Sequence, residues 1–228
     1  MNDKIEYSCS RCSSLDKSIF GQLDKELYKN ISKAFTCSSF PKNERLFDID
    51  QFPKGVYIVH QGKLKICKEF ENAKEQIIHI CAEGEILGMR AIFSGQKFNV
   101  SAIALEECNI AYLEVSKFKQ LISDFPILRE CIITSLSNEL IDRASFIANL
   151  AVKNAKQRVG QALVSLSNIY KTLPINLSRE DLASFVGATP ETVIRVLSEF
   201  KNEKIIEIQG RKIIIIDQTG LKRFSGML

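Results

Sequence analysis

Residues 178–197 read Ser-Arg-Glu-Asp-Leu-Ala-Ser-Phe-Val-Gly-Ala-Thr-Pro-Glu-Thr-Val-Ile-Arg-Val-Leu, and residues 205–216 read Ile-Ile-Glu-Ile-Gln-Gly-Arg-Lys-Ile-Ile-Ile-Ile. Ser178, three residues before Asp181, suits a helix start: its hydroxyl can accept from an orphan amide, and the acid sits at the positive end of the helix. Leu182, Phe185 and Val186 supply one apolar face at helical spacing. Gly187 fits a turn where positive φ is cheap only for glycine. Thr189 is a good N-cap, and Pro190 falls at the first helical position, where its missing N–H costs nothing. Val193, Val196, Leu197 and Phe200 give a second helix its buried face, which leaves Glu191, Thr192, Ile194 and Arg195 on the outer face of the first turns. Ile205–Ile208 and Ile213–Ile216, around Gln209-Gly210-Arg211-Lys212, predict a hairpin. Two short helices, a tight turn and a hairpin make a winged helix-turn-helix, a device that sets its second helix in the DNA major groove.

That reading nominates the contacts. Arg195 suits a guanine O6/N7 edge and Glu191 a cytosine N4, with Thr192 or Ile194 against a thymine methyl. Thr189 and the wing residues Arg211 and Lys212 suit phosphates. The net charge is only +4, so placement matters more than total. Arg179, Arg195, Lys201, Arg211 and Lys212 are expected to share one side.

The rest of the composition narrows the class. The chain has 228 residues, with 45% apolar and 25% charged, as in ordinary soluble globular proteins. No apolar run approaches the roughly 18 residues of a membrane span, and the N-terminus lacks the apolar core of a secretory signal. Seven cysteines is an odd number, and Cys67, Cys81 and Cys131 sit inside apolar segments. Reduced thiols in a cytoplasmic protein fit this better than a disulfide framework. Neither a nucleophile–base pair nor a metal triad nor a phosphate-cradling glycine loop stands out, so an enzyme is not expected. His60 and His79 read as strand residues, because neither has a partner at ligand spacing.

Upstream, residues 1–14 are polar and read as a flexible segment carrying Cys9 and Cys12. Ile19, Leu23, Leu27, Ile31 and Phe35, at four-residue steps, predict a helix over 15–35. From residue 40 to 115 short β-rich runs (45–49, 55–59, 62–69, 76–81, 100–104, 109–114) alternate with turn signals, which predicts a barrel or double-sheet roll of about eight strands. A short helix is expected from 116 or 117 to 124, and Pro126 restarts a long one reaching about Lys153. Along it Ile133, Leu136, Leu140, Arg143, Ile147, Leu150 and Asn154 step by three and four, a seam fit to pair with a second copy of itself. A further helix over 155–170 leads into the DNA-reading unit. The expected class is α+β: an N-terminal β-roll (double-stranded β-helix, jelly-roll-like) over 15–125, a dimerisation helix over 126–154, and a C-terminal winged helix-turn-helix domain over 155–228.

This arrangement resembles the CRP/FNR family of bacterial transcription regulators. Tyr57-Ile58-Val59 with Gly62-Lys63-Leu64-Lys65-Ile66, then Gly84-Glu85-Ile86-Leu87-Gly88, is similar to the family's roll motifs. Lys156-Gln157-Arg158-Val159 resembles its Gln-Arg-Val/Leu/Ile-Ala, and residues 187–197 resemble Gly-x-Ser/Thr-x-Glu-Thr-Val-x-Arg-x-Leu. The resemblance implies a homodimer on inverted-repeat double-stranded DNA, RNA polymerase as a further partner, and a small-molecule effector bound in the roll near Gly88, Met89, Arg90, Asn99 and Ser101. The departures matter too. Met89 stands where cyclic-AMP binders carry a ribose-holding Glu, and Asn99 or Val100 stands where they carry an Arg for the phosphate. Neither Met nor Asn can do those jobs, so cyclic AMP is not the expected effector. In the helix-turn-helix, Pro190 replaces a side chain that reads or supports base contact in some members.

The family's oxygen sensors hold an iron–sulfur cluster on four cysteines. Here Cys9 and Cys12 stand alone, the next cysteine is Cys37, and Cys108 lies near but not on the distal ligand position. No resident cofactor is therefore expected. A cluster, a zinc ion or thiol redox chemistry at Cys9 and Cys12 stays open as an alternative. A ligand-sensing roll acting through protein partners, with a vestigial DNA domain, is the other alternative. The intact Glu191/Arg195 pair argues against it.

Overall fold

The computed structural model describes residues 7–8, 17–23, 28, 31–70, 75–171 and 174–226; Cys9 and Cys12 lie outside them. The chain divides into two compact units, residues 1–74 with 78–141, and residues 75–77 with 142–228.

The first unit is the expected β-roll. Its strands are β1 (Tyr7–Ser8), β2 (Thr36–Phe40), β3 (Arg45–Phe47), β4 (Gly55–Gln61), β5 (Leu64–Glu69), β6 (Glu75–Cys81), β7 (Ile86–Leu87), β8 (Ser101–Ala104) and β9 (Cys108–Glu114). They form two sheets, ordered β1-β2-β9-β4-β7 and β3-β8-β5-β6. Strand alternation explains why the central strands read as nearly continuous apolar runs. On β4 and β9, Val56, Ile58, Ala111 and Leu113 face one way and pack with Phe118, Leu128 and Ile132. Val59, Cys108 and Ile110 face the other way, into a core shared with Phe47, Leu64, Ile66, Ala102 and Ala104 of the second sheet. Both faces of the five-stranded sheet are thus covered, by helices on one side and by the second sheet on the other.

Among the described residues, this unit has helical residues at 28 and 31–32 and the helices α1 (Met89–Ser94), α2 (Val115–Asp124) and the first half of α3 (Pro126–Val152). One continuous helix over 15–35 does not form. A 3-10 turn capped by Ser18 spans Ile19–Gln22, and Leu23 is extended, with φ −81° and ψ 151°. Part of the expectation holds: Tyr28, Ile31 and Ser32 are helical, Ile31 and Phe35 are buried in the core, and Ile19 and Leu23 pack against it. Strands β1, β2 and β7 and helix α1 carried no separate sequence expectation: each is short, and β1 falls within the segment read as flexible. Cys37, on β2, is disulfide-bonded, which departs from the reading of reduced thiols. Cys67, Cys81, Cys108 and Cys131 are free.

The second unit contains α4 (Ala155–Tyr170), α5 (Arg179–Val186), α6 (Pro190–Asn202), the hairpin β10 (Ile206–Gln209) with β11 (Lys212–Ile215), and α7 (Gln218–Phe224). Helix α7 was not foreseen. Asp217 caps it, its carboxylate accepting from the Gly220 amide at 2.9 Å. The core joins Val159, Leu163 and Leu166 of α4 to Leu182, Val186, Val193, Val196, Leu197, Phe200, Ile213 and Leu221, all buried.

Candidate DNA interface

Each local cap expected from the sequence is formed. The Ser178 hydroxyl accepts from the Asp181 amide at 2.9 Å. Gly187 closes α5 at φ 64°, its amide bonded to the Ala183 carbonyl. The Thr189 hydroxyl accepts from the Thr192 amide at 3.3 Å, and Pro190 begins α6. With Val193, Val196, Leu197 and Phe200 committed to the core, the opposite face of α6 is an exposed stripe of Glu191, Ile194, Arg195, Ser198, Lys201 and Asn202. Ile194 is 51% exposed, an apolar side chain held out among polar ones.

Electrostatics order this stripe. Glu191, at the helix start, has its carboxyl held below the ordinary value by its own backbone amide and by the Thr189 hydroxyl, so it is an acceptor at neutral pH. Arg195 is the most exposed charged group of the pair it forms with Glu199, at 2.7 Å. Glu199 also lies 3.2 Å from Lys156, and Lys156 lies 3.2 Å from Glu203 and 4.6 Å over the Phe224 ring. A buttressed acid thus holds Arg195 along the helix.

The wing pairs Gln209 with Lys212 around Gly210, whose φ is 59°, and leaves Arg211 and Lys212 exposed at its tip. Arg179, at the start of α5, donates to the Arg211 carbonyl at 3.3 Å. Burial pulls its guanidinium below the ordinary value, and Arg211 adds to this. Two cations meet at this point, an arrangement that favours an anion nearby. The structure therefore gathers Thr189, Pro190, Glu191, Thr192, Ile194 and Arg195 on the first turns of α6, and separately joins Arg179 to the wing tip. Lys201 sits on the same stripe but about 16 Å along the axis from Pro190, at the 1.5 Å helical rise, toward the other end of the helix.

The Lys156-Gln157-Arg158 motif has structural roles that the sequence did not disclose. Gln157 forms a capping box with Asn154. Arg158 donates to the carbonyls of Val186 at 2.9 Å, Gly187 at 3.1 Å and Lys153 at 2.8 Å. One guanidinium thereby ties the start of α4 to the turn between α5 and α6.

In the roll, the five candidate effector residues have different surroundings. Gly88 has φ 95°, and a Cβ there would lie 2.8 Å from the Gly55 carbonyl oxygen, so it serves the backbone. Met89 is 5% exposed in the core. Arg90 pairs with Glu139 of α3 at 3.4 Å. The Ser101 hydroxyl is buried, donating to Asp48 at 3.0 Å and accepting from Arg45 at 3.2 Å. Asn99 alone lines a cleft of about 510 Å³ with Phe52, Lys68, Glu69, Lys97 and neighbours.

On α3 the expected seam divides. Ile133, Leu140 and Ile147 are 59%, 69% and 66% exposed, whereas Leu136 packs against the roll core and Arg143 is half-buried. Nothing is described of the Leu150 side chain. Cys108, the cysteine near the distal cluster position, is buried with its thiol donating to the Lys63 carbonyl at 3.2 Å; burial pushes that thiol up to about 11. His79, read as partnerless, in fact has its Nε2 2.6 Å from Glu85 Oε2. Among the described residues no helix is long and apolar enough to cross a membrane.

Residues 37–125 match the family model of the cyclic nucleotide-binding domain, and residues 157–224 match the Crp-like helix-turn-helix domain. The transcriptional regulatory protein btr of Bordetella pertussis is 28% identical over 192 residues, covering 81% of this chain and 79% of that one. The fumarate and nitrate reduction regulatory protein of Vibrio cholerae is 25% identical over 234 residues, covering 96% and 90%. Among solved structures, FixK2 from Bradyrhizobium japonicum superposes with a TM-score of 0.77 at 23% identity, covering 83% of this chain and 96% of that one.

Proposed function

The chain belongs to the CRP/FNR family of DNA-binding transcription regulators, and on that premise we propose that it works as a cytoplasmic homodimer reading an inverted-repeat site in double-stranded DNA. The carrying observation is the exposed first-turn face of α6, where Glu191 and Arg195 stand on a helix whose other face is locked in a core.

The mechanism has three parts. The α6 N-terminus enters the major groove, Arg195 leaves Glu199 for a guanine O6/N7 edge, Glu191 accepts from a cytosine N4, and Ile194 or Thr192 touches a thymine methyl. Pro190 offers no donor there, so readout rests on the residues after it. Arg179, Thr189, Arg211 and Lys212 set register on phosphates, with Lys201 a peripheral cation. The exposed apolar side chains of residues 126–154 pair with a second copy, setting the spacing of the two readers. A signal in the roll of residues 15–125 then acts on the DNA-binding domain of residues 155–228 by biasing that spacing. The effector is a small molecule other than cyclic AMP, since Met89 is buried and Asn99 offers no cation. RNA polymerase is the further partner that a regulator of transcription would act on.

Fluorescence anisotropy with duplex DNA across a salt series tests the reading. Wild type is expected to bind with log K falling linearly in log salt, and Lys212→Ala to lower the slope magnitude by about one unit while weakening all sequences alike. Absence of duplex binding at low salt would overturn it.

A further inference from the structure

The described part of the roll holds one cluster of mixed nitrogen, sulfur and oxygen donors outside the DNA interface. The Nδ1/Nε2 of His79, the Sγ of Cys81 and a carboxylate oxygen of Glu85 lie within 4.8 Å of one another. We propose that His79, Cys81 and Glu85 form a binding site for a zinc-like divalent cation, with a fourth position open to water or a further ligand.

Strand geometry makes the cluster. His79 and Cys81 are two residues apart on β6, so their side chains leave the same face. The chain then turns through Ala82–Gly84 and brings Glu85 back to that face. The turn is fixed by backbone bonds: the Glu85 amide donates to the Ala82 carbonyl at 3.1 Å, and the Gly84 amide and Glu85 carbonyl bond Val59 of β4 at 2.9 and 3.1 Å. Gly84 has φ 91°, which suits glycine alone.

The carboxylate is oriented too. Glu85 Oε1 accepts from the Ala82 amide at 2.9 Å, which leaves Oε2 aimed at His79. Outer bonds of this kind are what hold first ligands in place at metal sites. Side-chain exposures of 46% for His79 and 40% for Glu85 leave an approach from solvent, while Cys81 forms the buried floor.

Donor chemistry selects the cation. Zinc bonds of about 2.0–2.3 Å place tetrahedral ligand atoms some 3.3–3.8 Å apart. Binding here would open the 2.6 Å His79–Glu85 contact and draw the wider separations in, a shift of about an ångström. A thiolate and an imidazole exclude magnesium and calcium and favour zinc, or cobalt as its stand-in. On binding, the Cys81 thiol gives its proton to solvent and the sulfur lone pair bonds the metal. Neutral His79 coordinates through nitrogen, and nothing is oxidised or reduced.

The test uses the full-length protein, reduced and metal-free, titrated with cobalt(II) and back-titrated with zinc. It is run on wild type and on C9S/C12S, which removes the two closely spaced cysteines Cys9 and Cys12. The expected result in C9S/C12S is one cobalt per chain with a thiolate-to-cobalt charge-transfer band that zinc abolishes. Cys81→Ala should remove the band. The exposed changes His79→Gln and Glu85→Gln should each weaken binding by about 10- to 100-fold or more while leaving the thermal melt of the metal-free protein near wild type. They keep the test decisive if Cys81→Ala fails to fold. No band in C9S/C12S, or a band unchanged by His79→Gln and Glu85→Gln, would overturn the site.

Discussion

Replacing Arg158 with alanine removes three hydrogen bonds to main-chain carbonyls. Those to Val186 (2.9 Å) and Lys153 (2.8 Å) are part-buried, whereas that to Gly187 (3.1 Å) is exposed and water can replace it. Hydrogen bonds from a charged donor contribute about 1.5–3 kcal/mol each; two part-buried ones at the low end give about 3 kcal/mol, with nothing counted for the exposed one. Arg158→Lys cannot fork across three carbonyls, so it should recover only about one bond. Hydrogen exchange over 179–202 is the assay, because it reads the stability of this segment without requiring the whole chain to unfold in one step. At 1.4 kcal/mol per tenfold, Arg158→Ala should lower protection of the α5 and α6 amides by about 10². DNA affinity should fall with it, since the turn that aims α6 is no longer held. Wild-type protection in α5 and α6 after Arg158→Ala would refute the reasoning.

Leu140→Asp places a charge at a side chain that is 69% exposed in one chain; analytical ultracentrifugation should show monomers with an intact fold, whereas Leu136→Asp should also destabilise the roll core it touches. The Cys108 thiol, pushed up to about 11, holds its proton more tightly than the unfolded chain, whose thiols ionise near about 8.5. Its contribution to stability is therefore complete below that pH and lost as pH rises toward the folded value. Denaturant midpoints of the reduced protein should fall over this window, and Cys108→Ala should make the fall shallower, leaving the parts from the fully buried Cys81 thiol, which burial pushes well up, and from Tyr57, which is pushed up to about 12. Glu199→Gln should loosen Arg195, and anisotropy should show tighter binding to duplexes of every sequence at low salt, because an acid is removed and a cation released.

The reader domain was legible because its chemistry is local. Ser178, Gly187, Thr189 and Pro190 each act within a few residues of themselves, so cap, turn and helix start could be placed without tertiary knowledge. Long-range contacts were not legible. The motif Lys156-Gln157-Arg158 was visible as a resemblance, but the carbonyls that Arg158 reaches lie near residue 187, and no spacing in the sequence announces them. The apolar repeat at Ile19, Leu23, Ile31 and Phe35 marked contact with the core but not the extent of the helix: Ile31 is helical, whereas Ile19 lies in a 3-10 turn and Leu23 is extended, since a four-residue step fits any segment that returns to one core. His79 illustrates the same limit: a ligand search by spacing passes over a cluster closed by a turn through Gly84. Among the candidate effector residues, Met89 is packed in the core and Ser101 bonds Asp48 and Arg45, partners that no spacing in the sequence announces.

Selection of duplexes from a random pool, run side by side with wild type and Arg195→Ala, tests the central claim most directly. Wild type should enrich an inverted repeat with half-site centres about 10 bp apart, and Arg195→Ala should lose preference at one G·C pair per half-site, with a penalty of about 1–3 kcal/mol on the wild-type site. Enrichment of the same motif by both proteins, or of no motif by wild type, would contradict the assignment of α6 as the reading helix.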